Sequence, residues 1–109
     1  VLVIAEMIAL AQRAGVDAAQ IPQALAGGFA DSKPLQIVGP EMADGAFEPV
    51  KWRIKTLLKD LNMAVDIASK NGSAAPMSGL AAQLMQLHGS HGFLDQDPST
   101  LIELYGIDR

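Results

Sequence analysis

At 109 residues, half of them apolar, the chain is long enough to bury roughly 65% of the surface its unfolded form would expose, and a single core is expected. A net charge of −4 argues against a phosphate-backbone binder, because such proteins concentrate Lys and Arg to displace counterions, so nucleic acid is not an expected partner. The absence of cysteine excludes a disulfide framework, a zinc-thiolate site and a thiol nucleophile, and is compatible with a cytoplasmic location.

With one Trp, one Tyr and three Phe, the apolar content rests on Ala, Leu, Ile and Met, a mixture that favours helix over strand and predicts an all-α fold. No apolar run approaches the roughly 20 residues that span a bilayer, since Glu6 and the pair Gln12-Arg13 interrupt the first segment, so no membrane partner is expected. Nor does a basic region precede the first apolar residues, as a signal peptide would require.

The first predicted helix runs from Val1 to about Ala14 and stops at Gly15. Its sides are nearly all apolar, which suits a helix central in a core or pressed against a second domain or subunit. It opens without a polar cap, as though in mid-helix, and the expectation is that the chain was cut from something longer. Asp17 with Gln20 has the spacing of a capping box for a second helix ending near Gly27-Gly28, but Pro22 beyond the first turn would cost a backbone hydrogen bond and argues for a later start.

Pro34, Gly39, Pro40, Gly45 and Pro49 punctuate the next segment, leaving a short helix around Pro34 to Ala43 with Ser32 or Lys33 near its start. The longest helix follows, from about Val50 to Lys70, and ends at Asn71-Gly72. Pro76 introduces a fifth, from about Met77 to Leu87 or His88, which Gly89 and Gly92 break. Asp97-Pro98-Ser99-Thr100 then supplies an N-cap and a proline at the first helical position of a last short helix ending at Gly106.

The long helix carries the chemistry. Trp52, Thr56, Lys59 and Asp60 share one side at helical spacing, while Ile54, Leu57, Leu58, Leu61, Ala64, Val65 and Ala68 form an apolar stripe elsewhere. The bland reading of Lys55, Lys59 and Asp66 is a solvated face with weak ion pairs. The functional reading is that Lys59 donates hydrogen bonds to an anionic or hydroxylated ligand while Asp60 orients Lys59 or another cation in the site. Trp52 reads as core or interface, and as a ligand platform only through its placement with Lys59.

His88 and His91 have a spacing that could hold a metal, but no carboxylate or third His flanks them; no metal site is expected, and both read as solvated loop residues. Gly27-Gly28-Phe29-Ala30-Asp31-Ser32 has the wrong spacing for a dinucleotide fingerprint or a P-loop and reads as a helix stop. Ser32 has no evident activating base, so a serine nucleophile is unsupported.

Taken together, Ala5-Glu6-Met7-Ile8-Ala9-Leu10-Ala11-Gln12-Arg13-Ala14-Gly15, Gly27-Gly28-Phe29-Ala30-Asp31-Ser32, Phe47, Lys59-Asp60-Leu61 and Asp97-Pro98-Ser99 resemble, over essentially the whole chain, the C-terminal domain of the β-hydroxyacid dehydrogenases. The resemblance implies an all-α domain of about five to six helices, similar to the 6-phosphogluconate dehydrogenase C-terminal-like domain. It would follow an N-terminal Rossmann domain that this chain does not contain. The implied activity is NAD- or NADP-dependent interconversion of a small 3-hydroxy acid and its semialdehyde, such as tartronate semialdehyde or 3-hydroxyisobutyrate, in a homo-oligomer (dimer or tetramer).

In that family Lys59 matches a lysine contacting the cofactor near the nicotinamide, and Asp60 an aspartate that supports the site. Trp52 falls where some members carry a Phe near the substrate, a departure that could reshape the pocket. The family's general acid/base lysine stands about ten residues before the position of Val1, in a Gly-x-Gly-x-x-x-Lys-x-x-Asn pattern that this chain lacks, as it lacks the glycine-rich dinucleotide loop. The fragment alone is therefore expected to be inactive. From a different class, the competing reading is a non-catalytic helical association module whose apolar first helix docks a partner.

Overall fold

The computed structural model describes residues 1–106, which are helical apart from their connections and contain no strand. In chain order the helices are α1 (Leu2–Arg13), α2 (Ile21–Leu25), α3 (Lys33–Asp44), α4 (Ile54–Lys70) and α5 (Pro76–His88). A 3-10 turn (Ala18–Gln20) precedes α2, a π turn (Gly89–Phe93) follows α5, and a 3-10 helix (Pro98–Tyr105) closes the described chain. The all-α expectation holds. Where composition predicts one core, however, the chain divides into two compact units, one comprising residues 1–49 with the segment that begins at Pro98, the other Val50–Asp97.

In the first unit, α1 packs on α3 and on the 3-10 helix. Ala5, Ile8 and Ala9 of α1, Val38 and Met42 of α3, and Leu101 and Ile102 of the 3-10 helix are each at most 1% exposed. Each large aliphatic side chain so buried contributes about 1.5–3 kcal/mol. Only one face of α1 is covered in this way: Val3, Met7 and Leu10 remain half or more exposed, so the apolar character seen around the helix divides between a buried and an open side.

Pro22 decides the shape of the second predicted helix. Asp17 accepts the Ala19 N–H at 3.3 Å and caps only a 3-10 turn, after which α2 begins at Ile21 with the proline in its first turn, where a missing N–H costs nothing. Ser32, in extended conformation, accepts the Leu35 N–H at 3.1 Å and opens α3, which tolerates Pro40 inside it and ends at Gly45 with φ of +68°. Asp31 organises the turn before it, its carboxylate accepting from the Gly27 and Ser32 N–H groups and from the Gln36 amide. These bonds hold the Asp31 carboxyl below the usual carboxylate range, the Gln36 bond contributing most.

In the second unit, α4 and α5 pack as a pair. The predicted stripe on α4 is covered unevenly. Ile54 and Leu58 are buried, Leu57, Leu61, Val65 and Ala68 are partly covered, and Ala64 is exposed. The helix starts at Ile54, four residues later than predicted, and Trp52 lies in the bend before it, so Trp52 does not share the helical face of Thr56, Lys59 and Asp60. His88 also departs from expectation. It is 1% exposed and stacks on Phe93 with ring centroids 4.1 Å apart and planes 14° from parallel, whereas His91 is exposed as predicted. The helix continues through His88 to a π turn, and this turn folds Phe93 back onto the imidazole.

Candidate functional site

The site is built around the N-terminal half of α4. No side chain caps this helix. Its first free N–H groups are instead taken by main-chain carbonyls of the strap that follows α5, Ile54 N–H bonding Gln96 at 3.0 Å and Lys55 N–H bonding Leu94 at 2.9 Å. The backbone of Lys51 donates to the buried carboxylate of Asp97 at 2.9 Å, extending the same attachment.

Two glycines let the strap reach α4. Gly92 turns the chain with φ of +94°, a conformation that L side chains rarely adopt. Gly89 makes room for Leu94, whose Cδ2 would lie 2.5 Å from any Cβ placed there.

Beside the strap lies an open groove of about 560 Å³, lined by Lys55, Lys59, Asn62 and Asp66 of α4, Gln86 of α5, Leu94 of the strap, and the apolar Leu58 and Met63. Lys55 Nζ is 2.8 Å from Asp95 Oδ1, and Arg53 Nε approaches the same oxygen at 3.8 Å. The hydrogen bond and the charge of Lys55 hold the Asp95 carboxyl below the usual carboxylate range. Asp66 is paired with Lys70 at 2.9 Å, one helical turn further on. Among the described residues no ion pair involves Lys59, which is exposed in the groove wall with the neutral amides of Asn62 and Gln86 nearby. A cation beside amide donors can hold and orient an oxyanion or a carbonyl oxygen. The groove lining contains no Ser, Thr, Cys or His that could act as a nucleophile or imidazole base.

Of the three side chains singled out in the sequence, the groove lining takes only Lys59. Asp60 is exposed on the next position of α4, outside the lining, and Trp52 is half-buried in the preceding bend. Ser32 caps a helix and has no catalytic geometry. Among the described residues no group of three or more His, Cys, Asp or Glu could hold a metal ion. Sequence reading missed Asn62, Gln86 and the Lys55–Asp95 pair; Asn62, one turn beyond Lys59, could have been found from helical spacing, whereas Asp95 lies 40 positions from Lys55 with no local pattern linking them.

A second, apolar depression of about 550 Å³ lies within the first unit, where Val3, Met7, Leu10 and Val16 open onto it with Ile21 and Leu25 of α2. No helix among the described residues is long and apolar enough to cross a membrane.

Residues 1–105 match the family described as NAD-binding of NADP-dependent 3-hydroxyisobutyrate dehydrogenase. The chain is 31% identical over 100 residues to the 2-hydroxy-3-oxopropionate reductase of Escherichia coli K12, covering 92% of this chain and 34% of that protein. It is 27% identical over 99 residues to the chloroplastic glyoxylate/succinic semialdehyde reductase 2 of Arabidopsis thaliana, covering 91% of this chain and 27% of that one.

In fold it is similar to a 3-hydroxyisobutyrate dehydrogenase of Salmonella typhimurium, with a TM-score of 0.85 at 22% identity over 94% of this chain and 35% of the other. A 3-hydroxyisobutyrate dehydrogenase of Mycobacterium tuberculosis, solved with L-serine, gives 0.78 at 23% identity, over 94% and 37%. The chain thus spans 27–37% of the length of these relatives. With its helical fold and a family match over nearly its full length, the chain belongs to the NAD-binding domain family of the NADP-dependent 3-hydroxyisobutyrate dehydrogenases.

Proposed function

We propose that the chain is the C-terminal helical part of an NAD(P)-dependent oxidoreductase that interconverts a small 3-hydroxy acid and its semialdehyde, with tartronate semialdehyde and 3-hydroxyisobutyrate as the model substrates. The observation that carries this reading is Lys59: the lysine of the Lys59-Asp60-Leu61 motif stands exposed in a groove whose other charged side chains are paired among the described residues. A cation with two amide neighbours fits a dinucleotide, which presents oxyanions and a carboxamide.

When bound, the nicotinamide group supplies the hydride or accepts it. Lys59 holds the cofactor on the groove side. Asp60, adjacent on α4, supports the site, and Trp52, by its match to the position where some family members carry a Phe, lines the substrate side and excludes water there. The proton donor, the dinucleotide-binding loop and most cofactor contacts belong to an N-terminal Rossmann domain outside this chain, so the 109-residue chain alone is inactive. In the full protein it acts as the substrate and oligomerisation domain of a cytoplasmic dimer or tetramer.

The experiment is Lys59→Ala in this chain joined to its native upstream sequence, assayed with NADH and NADPH on both substrates. A fall in kcat/KM of about tenfold or more, or ~1.4 kcal/mol of lost transition-state stabilisation, is expected. The second reading, an association module without catalysis, draws on the open face of α1, where Val3 is 61% and Leu10 57% exposed. Unchanged kinetics in the Lys59 variant would favour that module, whereas detectable turnover by the chain alone would count against an absent proton donor.

A further inference from the structure

We propose that Asp95 sets the charge of the ligand group that the α4 groove accepts: by holding Lys55 in an ion pair it leaves Lys59 as the one uncompensated cation of the lining among the described residues, and so matches the groove to a singly charged oxyanion. The proposal rests on the reading of Lys59 as a ligand contact.

Lys55 and Lys59 are four residues apart on α4, so their side chains are neighbours, and both line the groove. Left alone they would offer two positive charges to one ligand. Asp95 removes one of them through the 2.8 Å contact with Lys55 Nζ. The position of Asp95 is not left to side-chain chance: it sits between Leu94 and Gln96, whose carbonyls accept the Lys55 and Ile54 N–H groups, so the main chain delivers the carboxylate to the first turn of α4. The remaining lining charge, Asp66, is engaged by Lys70. Asn62 and Gln86 then contribute donors without charge.

A carboxylate of a hydroxy acid carries one negative charge, and so does each phosphate of a dinucleotide's pyrophosphate bridge. A phosphomonoester carries close to two at neutral or higher pH. Asp95 is therefore a specificity-determining residue that acts through Lys55. Because electrostatic attraction scales with ligand charge, removing its charge should favour the dianion over the monoanions.

The test is an NMR titration of the 109-residue chain at low ionic strength and about pH 8, following the α4 amides with acetate, dimethyl phosphate and methyl phosphate. Asp95→Asn is isosteric at an exposed site, and an unchanged helical circular dichroism spectrum certifies its fold. In that variant the affinity for methyl phosphate should rise about tenfold and those for acetate and dimethyl phosphate about threefold, with both gains shrinking as salt is added. Adding Lys55→Met to Asp95→Asn should abolish the gains.

An unchanged ratio of methyl phosphate to dimethyl phosphate affinity in Asp95→Asn overturns the proposal. So does a gain that survives Lys55→Met, which would transfer the effect to Arg53. Failure of the underlying reading has its own signature: anion-induced shifts that are unaffected by Lys59→Met in the otherwise native chain remove the site, and the proposal with it. A preference for acetate over dimethyl phosphate identifies the hydroxy acid carboxylate as the natural group, and the reverse order a phosphate of the dinucleotide's pyrophosphate.

Discussion

The two units of the chain solve the problem of holding helices together in different ways. The unit made of residues 1–49 and the segment from Pro98 relies on apolar contact: α1, α3 and the 3-10 helix meet through side chains such as Ile8, Val38, Met42, Leu101 and Ile102, none more than 1% exposed. The Val50–Asp97 unit buries less. Of α4 only Ile54 and Leu58 are fully covered, while Met63 and Ile67 on the same helix and Met77, Leu80 and Leu87 on α5 stand at 51–72% exposure. What α4 lacks in burial it receives partly through main-chain bonds from the 94–96 strap. The unit with the smaller core carries the charged groove.

The largest effect should come from the first core. Ile8→Ala removes a side chain that is 1% exposed, and about 2–5 kcal/mol of stability should be lost, read as a lower urea midpoint at an unchanged slope. Ile67→Ala, on a side chain 58% exposed, should stay within about 0.5 kcal/mol. Equal losses at the two positions would break the contrast between the units.

Acid should sharpen the contrast from the other side. Burial, reinforced by the nearby charge of His91, lowers the His88 pKa from 6.5 to about 4. The unfolded chain therefore binds more protons than the folded one between these values. Stability is full above about pH 6.5, falls as pH drops through that window, and levels off below pH 4; the loss is on the order of 3 kcal/mol. His88→Phe, which keeps a ring against Phe93, should flatten this portion of the pH profile. Amide exchange should locate the acid-sensitive opening in α5 and the π turn, and uniform exchange across both units would contradict that location.

Much of this arrangement is legible in the sequence, and the parts that are not share a cause. Gly15, Asn71-Gly72, Pro76 and Gly106 mark helix boundaries because backbone constraints are local, and the structure follows them to within a residue or two. The sequence pattern puts the start of α4 four residues early because its cap is not a side chain next to it but a strap about 40 residues later. The same distance hid the Asp95 partner of Lys55. His88 reads as a loop residue beside two glycines, and only the π turn that folds Phe93 back reveals it as buried. Lys59 is legible from its place in a motif and on a helix face. Its neighbours Gln86 and Leu94 come from other elements and leave no trace around it.

The smallest effect probes how each unit starts its main helix. In the first, Ser32 Oγ accepts the Leu35 N–H at 3.1 Å, so α3 depends on one side chain for a bond at its first turn. Ser32→Ala should cost about 1 kcal/mol, and Ser32→Asp should restore the cap and add a favourable charge at the helix N-terminus. No single side-chain deletion has that meaning for α4, whose N–H groups are held by the carbonyls of Leu94 and Gln96. Asp95→Asn, which leaves those carbonyls in place, should therefore perturb stability by less than Ser32→Ala, since an exposed ion pair contributes little to folding while still setting the local charge. Urea titrations of the two variants decide it: a larger loss for Asp95→Asn would mean that the strap depends on its carboxylate, and that the start of α4 is side-chain capped after all.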